Sequence, residues 1–275
     1  SLSGLLNREV SFIWGRIGRL PGCCESHRAY IGIMKTIDYQ HDRFAADLEQ
    51  LLRRTPVPAD IHAAVATILR DVEQRGDAAI CEYAAKFDKV DLSPDQFRLT
   101  DGEIEKACEL VAASTRDAID LAYRNITVFA EQRRPEDWSF APRPGVSLGV
   151  RFRPLSRIAA YVPGGAAPLV STVIHTIAIA RVAGVAEIAV TSPATADGTI
   201  NPAIVYAAIT AGATEIYRLG GVYAIAALAY GTDTVRPVEK IVGPGNAYVT
   251  AAKKQVYGTV ALDLVAGPSE VMIIA

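Results

Sequence analysis

From about residue 147 onward the chain alternates short β-rich runs with alanine-rich stretches of helical length, and this alternation restricts the fold more than any other feature. Ile158 to Val162 leads into a helical stretch at 171–183, and Glu187 to Thr191 leads into 202–211. Glu215 to Leu219 precedes 222–230, Lys240 to Val242 precedes 246–257, and a last apolar run starts at Val271. Strands joined through helices by short links predict βαβ units, a parallel sheet and right-handed crossovers. Glycines fall at the strand–helix junctions, as Gly164-Gly165, Gly220-Gly221, Gly243 and Gly245. In an open parallel sheet that is the carboxyl edge, where ligands bind.

The region before it has a different period. Residues 41–131 read as helical. Ile61, Val65, Ile68, Leu69 and Val72 form one apolar stripe at helical spacing, with Asp60 placed to cap it. Gly76 interrupts this helix, and Asp77 opens the next, which runs toward Phe87. A third long helix is predicted from near Asp101 through Ile104, Leu110, Val111, Ile119, Leu121, Ile126 and Phe129, ended by Arg133-Arg134-Pro135. The expected division is an extension at 1–33, a helical region at 34–145 and a Rossmann-like, NAD-facing domain at 146–275.

Residues 1–33 show neither helical nor strand period, and Met34-Lys35-Thr36-Ile37 reads like a bacterial protein start. Translated upstream sequence, a partial organelle transit peptide and a true extension all remain open for this stretch. At the other end Glu270 to Ala275 is an apolar run of buried-strand type with no polar tail. The expectation is a chain cut at its carboxyl end.

The 275 residues carry a formal charge of only -2, which excludes the concentrated basic face of a nucleic-acid protein. No apolar run reaches the roughly 20 residues that span a bilayer; Thr172 to Val185 is broken by His175 and Arg181. Cys23, Cys24, Cys81 and Cys108 lack zinc-ligand spacing with histidine partners and read as reduced thiols. A cytoplasmic protein is expected, or a plastid one if residues 1–33 are part of a transit peptide.

Three turns carry the candidate site. Tyr161-Val162-Pro163-Gly164-Gly165 follows a strand and precedes a helix, so its glycines let backbone approach a polar ligand or merely make the turn. Gly243-Pro244-Gly245-Asn246 repeats the arrangement, with Asn246 either capping a helix or facing a ligand. In Ala266-Gly267-Pro268-Ser269-Glu270, Ser269 contacts substrate or closes a turn. The dinucleotide fingerprint G-x-G-x-x-G is absent.

Taken together these runs resemble the histidinol dehydrogenase family. The likeness spans Arg153-Pro154-Leu155 through Gly165, Ala167-Pro168-Leu169, Ser171-Thr172-Val173 and Ala183-Gly184-Val185. It continues through Gly220 to Thr232, Lys240 to Val249, and the diagnostic stretch Asp263 to Val271. Upstream, Arg75-Gly76-Asp77-Ala78-Ala79, Tyr83 and Phe87-Asp88 are also similar, so that it extends over roughly residues 34–275.

The resemblance implies an α/β fold with an incomplete Rossmann-like sheet and an amino-terminal helical region, of aldehyde-dehydrogenase-like architecture. It implies NAD-dependent oxidation of L-histidinol to L-histidine through L-histidinaldehyde, in histidine biosynthesis, by a zinc-containing homodimer. Tyr161 and Asn246 match family positions that contact NAD, and Ser269 matches one that contacts substrate. Tyr223 stands where the family has a glutamine that also contacts NAD, and a phenol cannot copy an amide that both donates and accepts. The family's zinc ligands, a Gln-x-x-His pair with a later Asp and His, and its catalytic Glu-His pair are not matched within these residues. His27, His41, His62 and His175 lie outside those motifs, and His62 and His175 are expected as core or capping residues. No metal ligand and no catalytic acid or base is therefore assigned in this chain. Two alternatives stand beside this reading: a paralogous dehydrogenase of another polar alcohol, and a non-catalytic nucleotide-binding remnant.

Overall fold

The structure, a computed structural model, describes residues 40–52, 58–164 and 168–265, with no side chains given for 51 and 52. The chain divides into two compact units, residues 1–56 and 57–275. The first contributes helix α1 (Phe44–Leu52). Everything that follows belongs to the second.

Five parallel strands form its sheet: β3 (Arg157–Tyr161), β4 (Glu187–Thr191), β5 (Glu215–Tyr217), β6 (Lys240–Val242) and β7 (Ala261–Leu262). Their spatial order is β5-β4-β3-β6-β7. The chain begins in the middle, winds outward one way to β5, and returns past β3 to wind the other way. This is the doubly wound order expected of a Rossmann-like sheet, and its direction reverses between β3 and β6.

The alternation of the strand sequences explains the two layers around it. Ile158, Ala160 and Val162 join a core with α6 (Val170–Val182), α7 (Pro202–Ala211), α4 (Asp101–Glu109) and α5 (Ala113–Gln132). Ala159 and Tyr161, one residue out of step, join the opposite core with α2 (Ala59–Arg75), α3 (Asp77–Tyr83), α8 (Gly221–Tyr230) and α9 (Ala247–Val256). Helix α8 is buried at every residue from Val222 to Ala229, so its apolar character on all sides is a packing requirement. The first residues of three strands form an ion cluster at the amino edge. Arg157, 6% exposed, pairs with Glu187 at 3.0 Å and Glu215 at 2.5 Å.

Several expectations need correction. The third long helix is two, α4 and α5, separated at Leu110–Ala112; Arg116 turns back to donate to the carbonyls of Val111 and Glu109 at the break. Between α3 and α4 the chain is not continuously helical. A π-helical turn at Ala84–Asp88 ends at Lys89 in the left-handed region, and Arg98 then bridges to Tyr217. Asp60 does not cap α2, because the helix starts at Ala59 with Pro58 in the cap position and Asp60 sits inside the first turn. A hairpin that the apolar pattern did not reveal, β1 (Trp138–Arg143) with β2 (Val146–Val150), projects with its residues almost all exposed. The predicted strand from Val271 lies outside the described residues, and β7 was not foreseen. Among the described residues no helix is long and apolar enough to cross a membrane.

Candidate functional site

The carboxyl ends of β3 and β6 lie side by side where the sheet reverses direction, and the turn after β6 packs against the end of β3. At Gly243 the backbone adopts φ +111°, and an added Cβ would lie 2.2 Å from the Tyr161 carbonyl oxygen. Only glycine permits both that conformation and that approach. Gly220, before α8, is also tight: a Cβ there would meet Pro193 Cγ at 2.7 Å and Asp88 Oδ2 at 3.0 Å.

On the α8 side of this edge the structure brings Tyr161 and Tyr223 together with Asp88. The Tyr161 hydroxyl accepts from the Gly221 amide at 3.1 Å, so β3 is tied to the first turn of α8. Two residues further on, the Tyr223 hydroxyl donates to the Asp88 carboxylate. Burial pushes the Tyr161 phenol up to about 12, the Gly221 hydrogen bond opposing and the nearby Asp88 reinforcing it. Burial also raises Tyr223, with Asp88 adding to the effect. Asp88 itself is raised by burial, the Tyr223 hydrogen bond opposing. Both phenols are almost fully buried, with 4% of Tyr161 and 1% of Tyr223 exposed.

Asn246 lies on the neighbouring turn and caps α9, its Oδ1 accepting from the amides of Tyr248 and Val249 at 3.0 Å each. The side chain is exposed at the mouth of the turn. Ser269 and Gly165 lie outside the described residues.

Beside these turns is a cleft of about 310 Å³. Ser171, Thr172, His175 and Thr176 of α6 form one wall; Gly243, Pro244, Gly245 and the α9 residues Thr250 and Lys253 form the other, with Asp263 and Leu264 closing it. It occupies the switch point between β3 and β6, and its size is at the lower end of small-molecule pockets. His175 is exposed and lines this cleft, which corrects the expectation of a core or capping histidine. His62 is a half-buried residue of α2 whose carbonyl accepts from Gln255.

Sequence reasoning had not singled out Lys253. A lysine in an alanine-rich helix reads as a solvated residue, yet Lys253 is 4% exposed, and its ammonium donates to the Gly243 carbonyl at 2.8 Å and to Asp263 Oδ1 at 2.5 Å. Asp263 also accepts from the Gly243 and Leu264 amides, both at 2.8 Å. Burial pushes the Asp263 carboxyl up, but the Lys253 ammonium and these two amides outweigh it and hold it below the usual carboxylate range.

The histidinol dehydrogenase family model matches residues 52–275, a stretch that includes the whole sheet and every turn described above. The chain belongs to the histidinol dehydrogenase family. Its relatives include the histidinol dehydrogenase of Rhodospirillum rubrum, 48% identical over 216 residues, covering 78% of this chain and 50% of the relative. That of Agrobacterium fabrum is 46% identical over 239 residues, covering 85% of this chain and 55% of the relative. The crystal structure of histidinol dehydrogenase from Elizabethkingia anophelis superposes with a TM-score of 0.75 at 38% identity, over 82% of this chain and 52% of that one. The chain thus spans about half the length of the curated relatives it matches. Membership makes it part of a family of oxidoreductases and gives the switch-point turns their family context.

Proposed function

We propose that these residues form the coenzyme-facing part of an NAD-dependent dehydrogenase that oxidises L-histidinol to L-histidine through L-histidinaldehyde. The observation that carries this reading is the cleft at the β3–β6 reversal, walled by α6, the Gly243–Gly245 turn and α9, all within the family match. A cleft of about 310 Å³ accepts one end of a dinucleotide rather than all of it. Its donor set suits a polar ligand: the Ser171 and Thr172 hydroxyls stand on the first turn of α6, facing the glycine turn before α9. NAD bound there would supply the hydride acceptor. The contribution of this chain is to bind and orient it. Asn246 and the Gly243–Gly245 turn would meet the coenzyme directly, whereas the Tyr161 and Tyr223 hydroxyls hold the α8 turn beside it.

Zinc belongs to the same proposal through the family, but no step is routed through it. Among the described residues no group of three or more His, Cys, Asp or Glu is placed to hold a metal, and the family's zinc and Glu-His motifs are not matched in this chain. The proposal further comprises the division at residues 34–145 and 146–275, Ser269 as a substrate contact, assembly as a homodimer and a cytoplasmic setting. A second reading, oxidation of another polar alcohol, is favoured by one feature: the family glutamine is replaced by Tyr223, and that phenol is turned into the interior.

Because the proposed role of these residues is to bind and orient the coenzyme, calorimetric titration of the 275-residue protein with NAD is the direct test. Heat of binding and a raised melting temperature are expected. Absence of both would remove the coenzyme reading.

A further inference from the structure

We propose that Lys253 is a positioning residue for the switch-point cleft, its ammonium joining the Gly243 carbonyl to the Asp263 carboxylate and so fixing the glycine turn of the α9 wall to the chain that closes the cleft. The inference rests on the coenzyme reading for what the cleft holds, but its geometry stands independently.

Besides its contact with the end of β3, the Gly243–Gly245 turn is tied by a long hydrogen bond of 3.4 Å from the Thr250 hydroxyl to the Gly245 carbonyl and by the Asn246 cap that follows it. At Gly243 its backbone is in a region that L side chains avoid, and neither glycine has a side chain to anchor the turn. Two peptide groups of the turn are held by charge. The Gly243 carbonyl accepts from Lys253 at 2.8 Å, and the Gly243 amide donates to Asp263 Oδ2 at 2.8 Å. Lys253 and Asp263 then close the ring on each other at 2.5 Å. Helix α9, the end of β6 and the chain leaving β7 are joined through a single glycine. Asp263 also accepts from the Leu264 amide, so the same ring sets the direction in which the chain passes the cleft.

Burial makes the ring strict. Lys253 is 4% exposed, and a buried ammonium is stable only with its acceptors in place. Charge-assisted hydrogen bonds are shorter and stronger than neutral ones, and the pair can hold a glycine turn that amide bonds alone would leave loose. A lysine serving only to fill space would be replaceable by methionine without effect on the turn.

The test compares wild type with Lys253→Met and Lys253→Arg in the 275-residue chain, reading amide hydrogen exchange residue by residue. In Lys253→Met the Gly243 amide is expected to lose protection by about tenfold or more while the β3 amides keep theirs. Lys253→Arg is expected to restore part of it. In Lys253→Met the remaining Gly243 protection should also fall away at a higher pH than in wild type, because Asp263 has lost its cation. Unchanged Gly243 protection, or equal loosening of all β3 amides, would overturn the proposal. Should Lys253→Met fail to fold, Asp263→Asn, which keeps an acceptor but gives up the charge, faces the same two outcomes. NAD titration separates this from the coenzyme reading. If wild type binds, Lys253→Met must bind about tenfold more weakly or the proposal fails. If wild type does not bind, the coenzyme reading fails and Gly243 exchange still decides the role of Lys253.

Discussion

Tyr223 donates its hydroxyl to Asp88, tying the first turn of α8 to the end of the π-helical turn that follows α3. Where the proposed reading puts a glutamine in the family, this chain has a phenol with an internal partner. Tyr223→Phe leaves the half-buried Asp88 carboxylate without that donor, and a loss of about 1–3 kcal/mol is expected in a denaturant melt. Tyr223→Gln should also melt lower, yet bind NAD more tightly, since it returns an amide to the coenzyme side. A glutamine variant that binds NAD no better than wild type would remove Tyr223 from the coenzyme side altogether.

The same pair has a pH signature. Burial raises Asp88 and the Tyr223 hydrogen bond only partly opposes it, so the folded carboxyl titrates above its unfolded value of about 3.9. Between those two values the native state binds more protons than the unfolded state, and stability falls as pH rises. Asp88→Asn removes this penalty while keeping an acceptor for Tyr223. Its advantage over wild type should grow with pH through that window and then level off, as read from paired thermal melts. A constant difference across the window would show that Asp88 is not the group responsible.

How much of this was legible beforehand follows from which interactions are local. The sheet was readable because Ile188 to Val190 and its counterparts are apolar runs bounded by glycine turns, and burial on both faces demands such runs. The β1–β2 hairpin was not, because Trp138, Phe140, Leu148 and Val150 are exposed although their alternation is that of a buried face. The break between α4 and α5 depends on the Arg116 side chain reaching back to Glu109 and Val111, which no apolar period records. At the site, the family resemblance pointed to Tyr161, Tyr223 and Asn246, but not to the direction of their hydrogen bonds. Tyr223 meets Asp88 across 135 residues, and such a pairing exists only once the sheet has assembled. The Asn246 cap, made to amides two and three residues on, was foreseen as one of two options for the same reason in reverse.

The Arg157 cluster yields an asymmetric pair of substitutions. Glu215 has Arg98 at 3.4 Å and Arg236 at 3.5 Å in addition to Arg157, so Arg157→Met leaves the carboxylate with other cations. Arg157 has no such surplus: without Glu215 its buried guanidinium keeps only the partly exposed Glu187. Glu215→Gln is therefore expected to cost about 3 kcal/mol or more, and Arg157→Met less. The cluster also predicts an acid limb. Burial pushes Glu215 up, but Arg157 and its neighbours hold it below the usual range, so its contribution is present above the unfolded value of about 4.3 and is lost as pH falls through the folded one. Equal melting losses for the two variants would refute the asymmetry.

Gly243 and Gly258 separate backbone strain from steric contact. Both have positive φ, +111° and +104°, so alanine at either incurs strain of about 1–3 kcal/mol. At Gly258 nothing lies within 4 Å of an added Cβ, and strain should be the whole cost. At Gly243 the Cβ would lie 2.2 Å from the Tyr161 carbonyl oxygen, which belongs to a fully buried central strand and has no room to retreat. Gly243→Ala should therefore be far more destabilising than Gly258→Ala. It should also displace Tyr161 relative to Gly221, which a change in the exchange rate of the Gly221 amide would report. If Gly243→Ala melts within about 1 kcal/mol of Gly258→Ala, the β6 turn and the end of β3 are not in the close contact on which the switch-point cleft depends.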